Sequence, residues 1–210
     1  MTEALPDRLT RHLPVIEAAV RAAVARLGAD LAAIDPALGP VADGLADAGA
    51  GGKRLRPALL CWSFVAHGGG DPARVLGPAV ALELVHTCAL VHDDVLDRAD
   101  ERRGAPSVHA RFAAALGDAT PDAAAAYGTA AAILLGDVAL AAADAELLAA
   151  DVDPVALRRA HATFTRLRVE VMAGQFLDVD AAARRDADRD RALRVATLKS
   201  ARYSVGRPLE

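Results

Sequence analysis

Apolar residues recur along most of this chain at intervals of three and four, the spacing that puts them on one face of an α-helix. Leu9, Leu13, Ile16, Val20, Val24 and Leu27 form the first series. It predicts a helix over 7–28 that stops at Gly28 and either opens or kinks at Pro14. A second helical piece covers about 36–48 and ends in Ala-Gly-Ala-Gly-Gly at 48–52. A third runs from Pro57 to about His67, where Gly68, Gly69 and Gly70 end it. Pro78 suits the first turn of a helix reaching about Arg98, since the missing N–H costs nothing there. After a loop at 99–106, helices are predicted at about 107–117, 122–149, 154–181 and 188–205. No segment sustains period-two alternation, so no sheet is expected. The expected class is all-α, with residues 1–210 as a single domain.

Composition supports this. Hydrophobic residues make up 53% but aromatics only 3%, and much of the apolar share is alanine, a strong helix former. The alanine runs at 123–126 and 130–132 read as close helix packing. A net charge of -4 argues against a general nucleic-acid binder, so the local basic clusters must act locally. Cys61 and Cys88 lie in apolar surroundings without metal-ligand spacing and read as reduced core thiols. Asp7, Arg8 and Arg11 interrupt the N-terminus, so no signal peptide is visible. Apolar runs are broken short of a membrane span. A cytoplasmic chain with no stable membrane insertion is expected. The aspartates at 186–190 could suggest a calcium loop, but Arg191 stands where the loop needs its glycine, leaving a solvated helix start.

The chemistry concentrates at 86–107. Asp93, Asp94 and Asp97 end an apolar helical run, and three- and four-residue spacing sets both Asp93 and Asp94 beside Asp97. Three like charges repel, which makes sense if a cation sits among them. All-oxygen donors that leave room for water and phosphate describe Mg²⁺. Arg102 and Arg103 follow, with the planar fork that grips phosphate oxygens. Upstream, Gly51-Gly52-Lys53-Arg54-Leu55-Arg56-Pro57 is a second phosphate candidate, a glycine turn before a helix N-terminus with Lys53 and Arg56 adding charge. His86 lies two helical turns before Asp93 on the same face and could donate to a phosphate; His92 is set aside as a neighbour. Gln175 and Asp178 share a helix face, and Lys199, Ser200 and Tyr203 lie on another helix.

These motifs resemble those of the trans-polyprenyl diphosphate synthases, the bacterial polyprenyl synthetases. The resemblance is carried, in family order, by the Gly-Gly-Lys-Arg-Leu-Arg-Pro segment and by Leu-Val-His-Asp-Asp-Val-Leu-Asp with Arg-Arg-Gly-Ala-Pro-Ser-Val-His. Leu-Leu-Gly-Asp at 134–137, Gly-Gln-Phe-Leu-Asp and Lys-Ser at 199–200 continue it, over about residues 50–205. It implies an all-α isoprenoid synthase bundle, normally a homodimer. It also implies head-to-tail condensation of isopentenyl diphosphate with an allylic diphosphate. Lys53, Arg56, His86 and Arg103 match the isopentenyl diphosphate site, and Asp93, Asp94 and Asp97 the first aspartate-rich magnesium motif. Arg102, Lys199 and Ser200 match the allylic diphosphate site, where threonine is commoner than serine. Gln175 and Asp178 match the later diphosphate-facing pair, with Asp178 a further magnesium ligand.

The mechanism so implied is ionisation-driven. Mg²⁺ and basic residues draw charge onto the leaving diphosphate, the isopentenyl double bond attacks the allylic cation, and proton loss ends the cycle. Bulky aromatics one turn before the first aspartate cap the product in the family; Cys88 and Ala89 are small, which implies geranylgeranyl or longer. The family also carries a second aspartate-rich motif downstream of Lys199. None follows Asp178 here, so the chain is read as a member lacking the C-terminal helices, with weak or absent turnover alone. The rival reading is a non-catalytic partner subunit of a full-length synthase, against which the intact Asp93, Asp94, Asp97 and Arg102 weigh. A terpene cyclase would have no use for Lys53, Arg56 and Arg103.

Overall fold

The computed structural model of the chain describes residues 10–210, so residues 7–9 of the first expected helix lie outside the described residues. The architecture is all-α. Helix α1 spans Leu13–Ile34, and a 3₁₀ turn at Pro36–Leu38 leads into α2, Gly39–Gly49. Helix α3 is Leu55–Ala66 and, after a second 3₁₀ turn, α4 is Leu76–Asp97. A hairpin of two-residue strands, β1 (Glu101–Arg102) and β2 (Ala105–Pro106), precedes α5 (Val108–Ala115), α6 (Pro121–Leu148) and α7 (Pro154–Arg184). Helix α8 (Arg189–Val195) passes into a π-helical segment, Ala196–Gly206, and a last turn, α9 (Arg207–Leu209).

Contacts group the chain into two compact units. The central unit comprises Glu17–Lys53 and Glu83–Glu146; the terminal unit comprises residues 10–16, Arg54–Leu82 and Leu147–Glu210. The central core gathers Leu31, Leu45, Cys88, Val91, Val108, Phe112, Ala132, Leu135 and Ala139. Small residues let its helices close up. A Cβ on Gly44 would lie 2.6 Å from Leu135 Cδ1, and one on Gly128 would lie 2.2 Å from the His109 carbonyl oxygen. The terminal unit buries Cys61, Phe164, Leu167, Val171 and Tyr203. It also holds an open apolar cavity of about 610 Å³ whose lining includes Phe64, Leu82, Phe164 and the C-terminal residues Arg207–Glu210.

Four expectations change. Helix α1 runs through Gly28 to Ile34, because Gly28 faces Ala42 at contact distance and the stop comes from Asp35-Pro36, where Asp35 accepts from Ala37 N–H at 2.8 Å. A minimal sheet does exist, in register Glu101↔Pro106 and Arg102↔Ala105; two residues per strand are too few to show alternation. Helix α4 with its preceding turn, Pro72–Asp97, is long and apolar enough to cross a membrane, contrary to the expected interruption, but 67% of its apolar window is buried within the protein, as in a core helix. The alanine run at 123–126 is largely exposed, so close packing holds for Ala132 but not for that run.

The region 184–191 is a solvated helix start. Asp188 caps α8 through Arg191 N–H at 2.7 Å, and the Arg191 side chain pairs with Asp180 and Asp186.

Candidate functional site

In the central unit the aspartates stand on the last two turns of α4. Asp94 is buried, Asp93 partly buried and Asp97 exposed. The cation among them is Arg102, delivered by β1. Its Nε donates to Asp94 Oδ1 at 2.7 Å, while its Nη2 lies 2.6 Å from the same oxygen and 3.4 Å from Asp93 Oδ2. The bond to Asp94 raises the Arg102 pKa further above its ordinary value, against the opposing effect of burial. One guanidinium therefore offsets the repulsion between two of the carboxylates.

The hairpin turn places the next arginine elsewhere. Arg103 and Gly104 have φ of 55° and 80°, the left-handed pair that a two-residue type I′ turn needs. Arg103 Nη1 donates to the Ala50 carbonyl at 3.2 Å. Its guanidinium lies over the glycine turn, 3.7 to 3.8 Å from where a Cβ would sit on Gly51 or Gly52. The two basic segments recognised in sequence, the glycine turn and the arginine pair, thus meet within one unit. Lys53 is exposed at the end of that turn, and His86 is half-buried on α4.

His92, set aside in sequence, has a built position. Its Nε2 lies 3.0 Å from the Ile133 carbonyl oxygen and its Nδ1 3.6 Å from Cys88 Sγ. The ring fills the space over Gly136, where any Cβ would clash at 2.2 Å. The glycine of Leu-Leu-Gly-Asp was the available signal. Cys88 points into the core, and burial first, then the Asp137 charge, pushes its pKa up to about 12. Arg54 was likewise passed over; it is buried, in a left-handed conformation (φ 46°), just before α3.

In the terminal unit, Arg56 stacks on Tyr203, 4.3 Å from the ring centroid, and donates to Ser204 Oγ at 2.9 Å. Lys199 Nζ donates to Asp178 Oδ2 at 2.8 Å across α7 and the π segment. Gly174 permits that approach, since a Cβ there would lie 2.8 Å from Lys199 N. Gln175 is half-buried one turn before Asp178, and Ser200 is exposed beside Lys199. A π-helical segment is rare and often marks a functional site, and this one carries Lys199, Ser200 and Tyr203.

Among the described residues, no three His, Cys, Asp or Glu side chains gather closely enough to enclose a metal ion. Asp97 is exposed and Asp93 part-buried, and carboxylate oxygens are the hard donors that suit a magnesium ion sharing its coordination with water and phosphate.

Residues 42–210 match the family model described as polyprenyl synthetase. The chain is 36% identical over 151 residues to a geranylgeranyl diphosphate synthase of Methanosarcina mazei, covering 72% of this chain and 42% of that protein. It is 38% identical over 153 residues to a (2E,6E)-farnesyl diphosphate synthase of Mycobacterium tuberculosis, covering 71% and 37%. The crystal structure of a Corynebacterium glutamicum geranylgeranyl pyrophosphate synthase, complexed with isoprenyl diphosphate and magnesium, superposes with a TM-score of 0.83 at 30% identity, over 96% of this chain and 58% of that one. The chain spans less than half the length of these two curated relatives. By sequence and by all-α fold, the chain belongs to the polyprenyl synthetase family.

Proposed function

We propose that this chain binds prenyl diphosphates and serves in their elongation, the condensation of isopentenyl diphosphate with an allylic diphosphate. The observation that carries this reading is the meeting of Arg103 with the Gly51-Gly52 turn, beside a hairpin whose other arginine reaches Asp93 and Asp94. Diphosphate oxygens need several cationic and N–H donors at once, and a glycine turn allows close backbone approach.

In this reading Lys53, Arg103 and His86 hold isopentenyl diphosphate, and Arg102 turns from Asp94 toward the allylic leaving group. Arg56, Gln175, Asp178, Lys199 and Ser200 are proposed as substrate ligands on their match to the family motifs. Asp93, Asp94 and Asp97 would hold Mg²⁺, whose chemistry is to neutralise charge on the departing diphosphate, and Asp178 is proposed as a magnesium ligand on its match to the family motif alone. Arg102, and Lys199 on its match to the family motif, would each stabilise developing negative charge as preorganised donors. Apolar helix faces exclude water from the allylic cation.

A product of geranylgeranyl length or longer is proposed. Since Cys88 points into the core, the argument narrows to Ala89, half-buried one turn before Asp93. Assembly as a homodimer and a cytoplasmic setting complete the proposal, the latter on two unpaired, buried thiols. The deciding experiment is calorimetric titration with isopentenyl diphosphate, alongside incubation with the labelled compound, an allylic diphosphate and magnesium. Saturable binding lost in Arg103→Ala, and any product lost in Asp93→Ala, support the reading. Binding unchanged in Arg103→Ala would remove its central observation.

A further inference from the structure

Ser107 is the N-cap residue of α5, yet its hydroxyl makes no capping bond to that helix. A serine in this position ordinarily satisfies one of the free N–H groups of the first turn. Here the hydroxyl is diverted to His109 Nδ1 at 3.1 Å. The other ring nitrogen, Nε2, lies 3.6 Å from Asp100 Oδ1, within ion-pair reach when the ring is charged. The Ser107 N–H in turn donates to the Asp100 carbonyl at 2.9 Å. Asp100 and Ser107 flank the hairpin on its two sides, so the Ser107 N–H bond to the Asp100 carbonyl closes its base, and the Ser107 hydroxyl ties that base to His109 in the first turn of α5.

The same three residue types form hydrolytic triads, but the arrangement cannot act as one. Ser107 is 3% exposed, so no substrate carbonyl reaches its oxygen, and the Asp100 side chain is 92% exposed, too solvated to orient an imidazole. A two-residue ladder is also too short to hold itself, and its turn carries a non-glycine residue with positive φ at Arg103. Something outside the ladder must fix it.

We propose that Ser107 and His109, with the main-chain carbonyl of Asp100, form a latch that closes the base of the hairpin and so positions Arg102 and Arg103, at its tip, for diphosphate. They are positioning residues and do not touch ligand. This role rests on the diphosphate-binding reading of the two arginines.

The test measures the affinity of the full chain for isopentenyl diphosphate by calorimetry in Ser107→Ala, Ser107→Thr, His109→Ala and Arg103→Ala, with hydrogen exchange at amides 101–107 read in parallel. Loss of one positioned contact is expected to weaken binding about tenfold in Ser107→Ala and His109→Ala. Ser107→Thr, which keeps the hydroxyl, should restore it. Exchange across the hairpin should quicken in both weakened variants while the buried amides of α6 hold. A hairpin that exchanges as slowly in His109→Ala as in the parent overturns the latch, even if affinity changes through partial unfolding. Wild-type affinity in His109→Ala together with lost binding in Arg103→Ala also overturns it and leaves the diphosphate site standing. If Arg103→Ala binds normally, the diphosphate reading fails, and the latch's purpose falls with it.

Discussion

Gly174 and Gly39 differ in what a methyl group would meet, and the difference predicts unequal effects. At Gly174 the new carbon lies 2.8 Å from Lys199 N and 2.9 Å from Leu198 Cβ, so α7 and the π segment must part. Gly174→Ala is expected to cost about 1–3 kcal/mol and to loosen the Lys199–Asp178 pair, read by chemical unfolding. Gly39 has helical φ and nothing within 4 Å beyond its chain neighbours, and the only cost to a Cβ there comes from Pro40, so Gly39→Ala should change stability by less than about 1 kcal/mol. The two thiols give a second test. Burial raises Cys61 to about 11 and Cys88 to about 12, so neither should react with a thiol reagent at pH 8 until the chain is denatured. Rapid labelling of the native chain would contradict this. Much of the candidate site was legible at this scale, because carboxylates and arginines clustered within twenty residues announce themselves through charge. The unread residues, Arg54, His92, Ser107 and His109, take their roles from neighbours that only folding supplies. Ser107 looks like an ordinary cap in sequence; that its hydroxyl serves His109 depends on the hairpin closing.

Among the elements, the helices were legible and their ends were not. Periodicity reports a buried face over many residues, whereas an end depends on one or two local contacts, as Gly28 against Ala42 illustrates. The stretch 188–205 read as one helix; it divides at Ala196 because its π-helical part follows the close approach to Gly174, a packing fact with no periodic signature. The end of this stretch is held electrostatically. Glu170 accepts from Arg207 Nη2 at 2.6 Å and Nε at 2.9 Å, and from Arg202 Nη1 at 2.8 Å, while Ser63 Oγ donates to the Leu209 carbonyl at 2.6 Å. The Arg207 bond, more than the one from Arg202, holds the Glu170 pKa below the ordinary glutamate value, against burial. A carboxyl depressed in the folded state stabilises fully above its unfolded pKa and loses that stabilisation as pH falls through the folded one. The C-terminal turn, one wall of the apolar cavity, should therefore stay shut at pH 7 and open only once the pH falls below the ordinary glutamate range. A dye fluorescent on apolar surfaces should report that opening, and Glu170→Gln should show it already at neutral pH. No difference between the two proteins at pH 7 would show that the ion pairs do not hold the wall.

For the whole molecule, the telling quantity is how much of a synthase these 210 residues contain. They match the family from residue 42 onward, the alignments cover 42% and 37% of the two curated relatives compared, and one aspartate-rich motif is read within them. Ionisation of an allylic diphosphate depends on charge stabilisation from preorganised donors, and removing a single such donor from an enzyme typically slows it by about 10²–10³-fold. In the proposed reading, binding draws instead on groups already gathered in the central unit, where Arg103 meets the glycine turn and Arg102 the aspartates. Binding and turnover should therefore separate. The purified chain is expected to bind isopentenyl diphosphate while forming extractable prenyl product at least about 10²-fold more slowly than the Methanosarcina mazei relative assayed beside it. Turnover within tenfold of that enzyme, abolished by Asp93→Ala, would show that one aspartate-rich motif suffices. The product of such turnover would test chain length as well: Ala89→Phe should shorten it, and an unchanged length would move the floor of the growing chain away from α4.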